Sequence, residues 1–177
     1  MSVEVSNVEP KEVWKNFVLL NEVPRPSKKE DRVIEFLISF ATKNNLIYKQ
    51  DKVGNLVIVK ESTHDMITRE TVVLQSHVDM VHEKNNDVEF DFLNSGIKMY
   101  VDGDWVKADG TTLGADNGLG VAAIMAILES NEISHPKIEA LFTIDEETGM
   151  TGALNLSDTI LTGKILLNLD TEEDDEI

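Results

Sequence analysis

Four short segments carry the residues that could do chemistry. His77 and Asp79 lie two apart in Gln75-Ser-His-Val-Asp-Met80, and Asp116 stands among Gly114, Gly118 and Gly120. Glu146 and Glu147 follow the apolar run within Lys137–Thr143, and Asp170 closes Lys164-Ile-Leu-Leu-Asn-Leu. Four or five carboxylates and one imidazole cannot be gathered unless something neutralises them, and divalent cations do so. A mixed carboxylate and imidazole set suits zinc, with cobalt or manganese as alternatives. Calcium would take an all-oxygen set and leave His77 unexplained. In extended chain, residues two apart point the same way, so Asp79 can accept the second ring N–H of His77 and fix its tautomer. Taken alone, the stretch Gly110–Val121 also reads as a glycine-rich turn capped by Asp116 or Asn117, and each acid as a solvated loop residue.

The elements that would hold these residues argue for gathering. Thr71–Ser76 is continuously apolar at its centre, as expected of a strand buried on both faces, and His77 and Asp79 follow at its end. Lys137–Thr143 and Lys164–Leu169 read as two more such strands, ending in Glu146 and Glu147 and in Asp170. Open α/β sheets bind ligands outside the carboxyl ends of their strands. If the three strands are neighbours, all these acids meet at one sheet edge. Helices are predicted over Pro10–Asn21, from a capping box of Ser27 and Glu30 to about Asn44, over Gly118–Glu129 and over Met150–Leu156. Hairpins are predicted around Gly54-Asn55 and around Asp102-Gly103. The alternation predicts an α/β fold, a three-layer sandwich around a largely parallel mixed central sheet.

The 177 residues suit one domain, and a 41% hydrophobic content makes it globular. A net charge of −17 argues against nucleic acid or an anionic membrane surface as partner. With no cysteine, disulfides, thiolate metal sites and cysteine nucleophiles are excluded, and a cytoplasmic location fits. Met1–Lys11 holds two acids and no apolar run, unlike a signal peptide, and no stretch has the length of a transmembrane helix. Glu172–Glu176 forms an acidic end.

The segments Gln-Ser-His77-Val-Asp79-Met-Val, Gly110-Thr-Thr-Leu-Gly-Ala-Asp116-Asn-Gly, Asp145-Glu146-Glu147-Thr-Gly-Met-Thr-Gly-Ala and Leu167-Asn-Leu-Asp170-Thr-Glu-Glu resemble the aminoacyl-histidine dipeptidase family. These Xaa-His, or beta-alanyl-histidine, dipeptidases are co-catalytic di-zinc exopeptidases related to carboxypeptidase G and the aminoacylases. The resemblance runs from about Pro10 to the last residue. It implies hydrolysis of Xaa-His dipeptides such as carnosine by a water activated between two divalent cations. His77 and Asp170 would hold one zinc and Glu147 the other. Asp116 would bridge both, Asp79 would orient His77, and Glu146 would be the general base. It also implies a cis peptide after Asp116.

The ligand inventory does not close. The second zinc has only Asp116 and Glu147, whereas such sites want a further, usually nitrogen, ligand. His64 and His135 precede strands and fall at the wrong end of the sheet, and His82 reads as a loop residue. In the resembling family that histidine lies far downstream, and an inserted lid and dimerisation domain supplies an oxyanion-stabilising one. Residues 1–177 are therefore expected to be the N-terminal part of a catalytic domain, inactive alone, with a homodimer expected for the full-length protein. Two other readings stand beside this one. The first is a related di-zinc aminopeptidase or amidohydrolase. The second is a non-catalytic metal-binding module, against which the intact Glu146 argues.

Overall fold

A computed structural model describes residues 3–171; the acidic end Glu172–Glu176 lies outside the described residues. Helix α1 (Lys11–Asn21) begins directly after Pro10, and α2 (Asp31–Lys43) lays Val33, Ile34, Leu37 and Ala41 into the core at helical spacing. The predicted capping box does not form. Neither Ser27 nor Glu30 caps α2 through its side chain; the Ser27 hydroxyl donates to Met80 O, and Glu30 accepts the amide N–H groups of Lys28 and Asp145. A local pattern was outcompeted by partners distant in sequence.

Strands β1 (Ile47–Gln50), β2 (Leu56–Lys60), β3 (Val72–His77), β6 (Ile138–Thr143) and β7 (Ile165–Asn168) form one sheet in the order β1-β2-β6-β3-β7. β2 is antiparallel to both its neighbours, while β6, β3 and β7 run parallel, so four strands of the five share one direction. A separate hairpin joins β4 (Met99–Asp102) to β5 (Trp105–Ala108). Asp102 pairs with Trp105, so its two-residue turn is Gly103-Asp104, one position beyond the predicted Asp102-Gly103.

Helix α3 (Ala115–Glu129) and α2 cover one face of the sheet, where Leu56, Ile58, Leu74, Ala140 and Phe142 meet Leu37, Ile124 and Met125. The opposite face packs Val57, Val73 and Leu141 under Ile160 and Leu156, beyond the one-turn helices α4 (Glu146–Gly149) and α5 (Thr151–Leu154). Each fully buried aliphatic or aromatic side chain contributes about 1.5–3 kcal/mol, so this central layer fixes where the strand ends lie. β6 is buried throughout. All four residues of β7 are exposed, and among the described residues it pairs with β3 alone. Among the described residues no helix is long and apolar enough to cross a membrane.

Candidate metal centre

Parallel pairing puts the carboxyl ends of β3, β6 and β7 together. His77 pairs with Thr143, and Gln75 with Asn168. The chain leaving each strand therefore delivers His77, the Glu146–Glu147 turn and Asp170 to one edge. Asp116 arrives from a different direction, at the opening of α3. Gly114 takes a left-handed conformation there (φ 69°) at the N-cap, and a Cβ on it would sit 2.8 Å from the Met80 sulfur. Asp116 and Asn117 depart from helical geometry, the peptide between them is cis, and regular helix begins at Gly118. Gly120 has no room for a side chain either, since a Cβ there would meet Asn117 Oδ1, Ser76 Oγ at 2.7 Å and Leu169 O at 2.8 Å.

The result is a convergence of donors. His77 Nε2 lies 2.9 Å from Asp116 Oδ1 and 3.9 Å from Asp170 Oδ1. One ligand atom from each of the three residues falls within 4.8 Å of the others. On its far side, His77 Nδ1 faces Asp79 Oδ1 at 3.3 Å and Asp79 O at 3.1 Å. Nδ1 is thus the nitrogen that donates to Asp79, and Nε2 is the one turned to Asp116 and Asp170. Glu146 and Glu147 line, with Asp116 and Asp170, a cavity of about 670 Å³. Asp79 reaches them as well, accepting the Glu146 and Glu147 amide N–H groups at 3.1 and 3.3 Å.

Electrostatics follow from the crowding. Burial alone would lower the His77 pKa, but hydrogen bonds and charge from Asp79, then Asp116 and Asp170, carry it up to about 9. Burial would raise Asp79, yet His77, the Glu146 amide and Ser27 hold it below the usual carboxylate range. Glu147 is pushed up by burial and next by Asp116, and Glu146 by burial and then by Asp170, Asp79 and Asp116, with His77 opposing. One imidazole nitrogen thus meets carboxylate oxygens from separate elements at the wall of the cavity, with too little positive charge to balance them. That donor set fits a divalent cation.

Three residues matter here that sequence reading did not single out. The Asn117 side chain donates to Asp170 Oδ1 at 2.6 Å and to Leu169 O at 2.8 Å. Ser76 Oγ donates to Asn117 O at 3.1 Å and contacts Asn117 Oδ1. Arg25, 1% exposed, donates to the carbonyls of Val78, Asp79 and Gly114. Adjacency to His77 and Asp116 in sequence was the available signal for Ser76 and Asn117; nothing local marked Arg25. Among the described residues, His64, His82 and His135 stay apart from both acidic groups. His64 and His135 lie together near the start of β6, where Thr63 N donates to His135 O, and His82 packs edge-on against Phe92.

The sequence pattern of peptidase family M28 matches residues 55–174. The cytosol non-specific dipeptidase of Escherichia coli K12 is 43% identical over 174 residues, covering 98% of this chain and 36% of that protein. The chain thus spans about a third of the length of this curated relative. The crystal structure of aminoacylhistidine dipeptidase from Vibrio alginolyticus superposes with a TM-score of 0.94 at 46% identity, covering 97% of this chain and 35% of that one. Aminopeptidase PepT from Bacillus cereus superposes with a TM-score of 0.78 at 25% identity, covering 94% of this chain and 44% of that one.

Proposed function

The chain belongs to peptidase family M28, and on that premise we propose that it supplies the metal-binding half of a dipeptidase that hydrolyses Xaa-His dipeptides. The observation that carries this reading is the convergence of His77 with Asp116 and Asp170, two acids that line one cavity with Glu146 and Glu147. His77 Nε2, Asp116, Glu147 and Asp170 would hold divalent cations, zinc first among them. Bound there, such cations acidify water and polarise the scissile carbonyl.

The chain's own residues do the rest. Asp79 accepts a hydrogen bond from His77 Nδ1–H, which leaves Nε2 as the nitrogen to meet a cation, and it also accepts the Glu146 and Glu147 amides of the adjacent turn. Glu146, its carboxyl raised by burial and by neighbouring acids, lines the cavity beside Asp116 and Asp170 and is the general base. It takes a proton from the attacking water and returns it to the peptide nitrogen as the C–N bond breaks. Asn117 steadies Asp170.

Among the described residues no nitrogen ligand stands beside Glu147. We read residues 1–177 as the N-terminal part of a catalytic domain that relies on polypeptide beyond them for that ligand and for catalysis. A cytoplasmic location accords with the similarity to the cytosol non-specific dipeptidase of Escherichia coli. Glu146→Gln in the full-length protein should leave zinc bound while Xaa-His hydrolysis falls by a factor of about 10² or more. Undiminished hydrolysis refutes the base assignment. Comparable turnover by the 177-residue chain alone refutes the dependence on further polypeptide. A dipeptide panel with no preference for C-terminal histidine refutes the substrate reading.

A further inference from the structure

The segment between α1 and α2 is the least obvious part of the site. Pro24–Glu30 reads in sequence as a helix breaker followed by a cap, yet Arg25, Ser27 and Glu30 are all buried. The segment lies against the end of β3: Met80 N donates to Arg25 O, and Pro26 and Met80 form an isolated bridge. Glu30 Oε1 accepts two amide N–H groups, from Lys28 at 2.7 Å and from Asp145 at 3.1 Å. The second of these is 115 residues away and directly precedes Glu146.

Asp145 begins the turn that aims both glutamates. It holds a left-handed conformation (φ 50°), and its carboxylate accepts the Thr148 and Thr151 hydroxyls. The first amides of a helix have no partner inside it and must find one elsewhere. Here three successive amides are satisfied by carboxylates from other elements. Glu30 takes Asp145, and Asp79 takes Glu146 and Glu147. One oxygen from each of Glu30, Asp79 and Asp145 lies within 4.8 Å of the others, and all three side chains are buried.

We propose that Glu30 is a positioning residue of this site: its grip on the Asp145 amide, together with that of Asp79 on the next two, sets the direction of Glu146 and Glu147. Asp79 holds the two amides nearest the glutamates, and Glu30 holds the amide at which the turn begins. Two features fit. Burial raises the Glu30 carboxyl above its ordinary value, as expected for an acid retained in an apolar setting for its hydrogen bonds. The same linker also reaches the opposite wall of the site, since Arg25 Nη2 donates to Gly114 O at 2.7 Å, two residues before Asp116.

The inference rests on the proposed function, and its test separates the two. In the full-length protein, zinc affinity, the cobalt visible spectrum, and kcat and KM for an Xaa-His dipeptide are measured for wild type, Glu30→Ala, Glu30→Asp and Glu30→Gln. Glu30→Ala and Glu30→Asp remove or withdraw the acceptor, and should weaken metal binding and lower kcat by about 10–100-fold, with KM less affected. Their cobalt spectra should shift. Glu30→Gln keeps an oxygen at Oε1 and should stay within a few-fold of wild type. Glu30→Asp, which retains most of the volume, decides the matter if Glu30→Ala does not fold. A Glu30→Asp enzyme with wild-type zinc affinity and cobalt spectrum overturns the proposal. If the wild type binds neither metal, the function reading fails instead. Amide exchange at Asp145 then judges Glu30: protection lost in Glu30→Asp supports it, and unchanged exchange overturns it.

Discussion

Replacing Asn117 with alanine probes the site without touching a proposed ligand. Asn117 is 3% exposed, and its side-chain amide donates to Asp170 Oδ1 at 2.6 Å and to Leu169 O at 2.8 Å. The first hydrogen bond involves a carboxylate and is worth about 1.5–3 kcal/mol; the second, between neutral groups, about 0.5–1.5 kcal/mol. Loss of an outer partner of a metal-binding side chain costs about 10–100-fold in affinity. At about 1.4 kcal/mol per factor of ten, that is about 1.4–2.8 kcal/mol, which agrees with the first hydrogen bond alone. The second should appear as lost stability in the metal-free protein. Asn117→Ala should therefore weaken zinc binding 10–100-fold in a chelator-competition titration, and lower the apo melting temperature by about 2–6 °C. Ser76→Ala removes only a contact to Asn117 and should lie between this variant and wild type. A zinc affinity within threefold of wild type, alongside a lowered melting temperature, would show that Asn117 supports the fold but does not orient Asp170.

Three further outcomes follow from the same geometry. Zinc at a hundred times its dissociation constant should stabilise the folded protein by about 2.7 kcal/mol, raising the melting temperature by about 5–10 °C; an unchanged thermogram would count against a preformed site. Glu139, 1% exposed, accepts Thr162 N–H, Thr162 Oγ1 and Gly163 N–H, and although burial opposes it, these hold its pKa below the usual 4.5. Its folded value being depressed, it contributes stability above about pH 4.5 that is lost as pH falls through the folded value, so Glu139→Gln should be less stable at pH 7 and lose less on acidification, as read by urea midpoints. Gly114→Ala places a Cβ in a left-handed residue against Arg25 and Met80 and should destabilise by about 1–3 kcal/mol by chemical denaturation, where a loss under 0.5 kcal/mol would contradict the close packing.

Much of this was legible in the chain because it depends on local periodicity. The apolar runs at Val72–His77 and Ile138–Thr143 became central strands. His77 and Asp79 met as their two-residue spacing required, and α3 became regular at Gly118 where its apolar pattern starts. Errors came where a local signal competed with a distant partner. Glu30 had the spacing of a capping box but was taken by Asp145, and Ser27 by Met80.

Residue type and order, by themselves, determined that this chain carries several acids and one histidine mounted after apolar strands. Hydrophobic periodicity and turn residues act over a few positions, so they survive in one dimension. Only the tertiary structure decided which strands are neighbours, that Nε2 rather than Nδ1 of His77 faces Asp116, and that Asn117, Arg25 and Glu30 hydrogen-bond to Asp170, Gly114 and Asp145. Those facts rest on hydrogen bonds that span 39 to 115 residues of sequence, with energies that depend on burial and on angle. Neither burial nor angle exists until the sheet has closed over the helices.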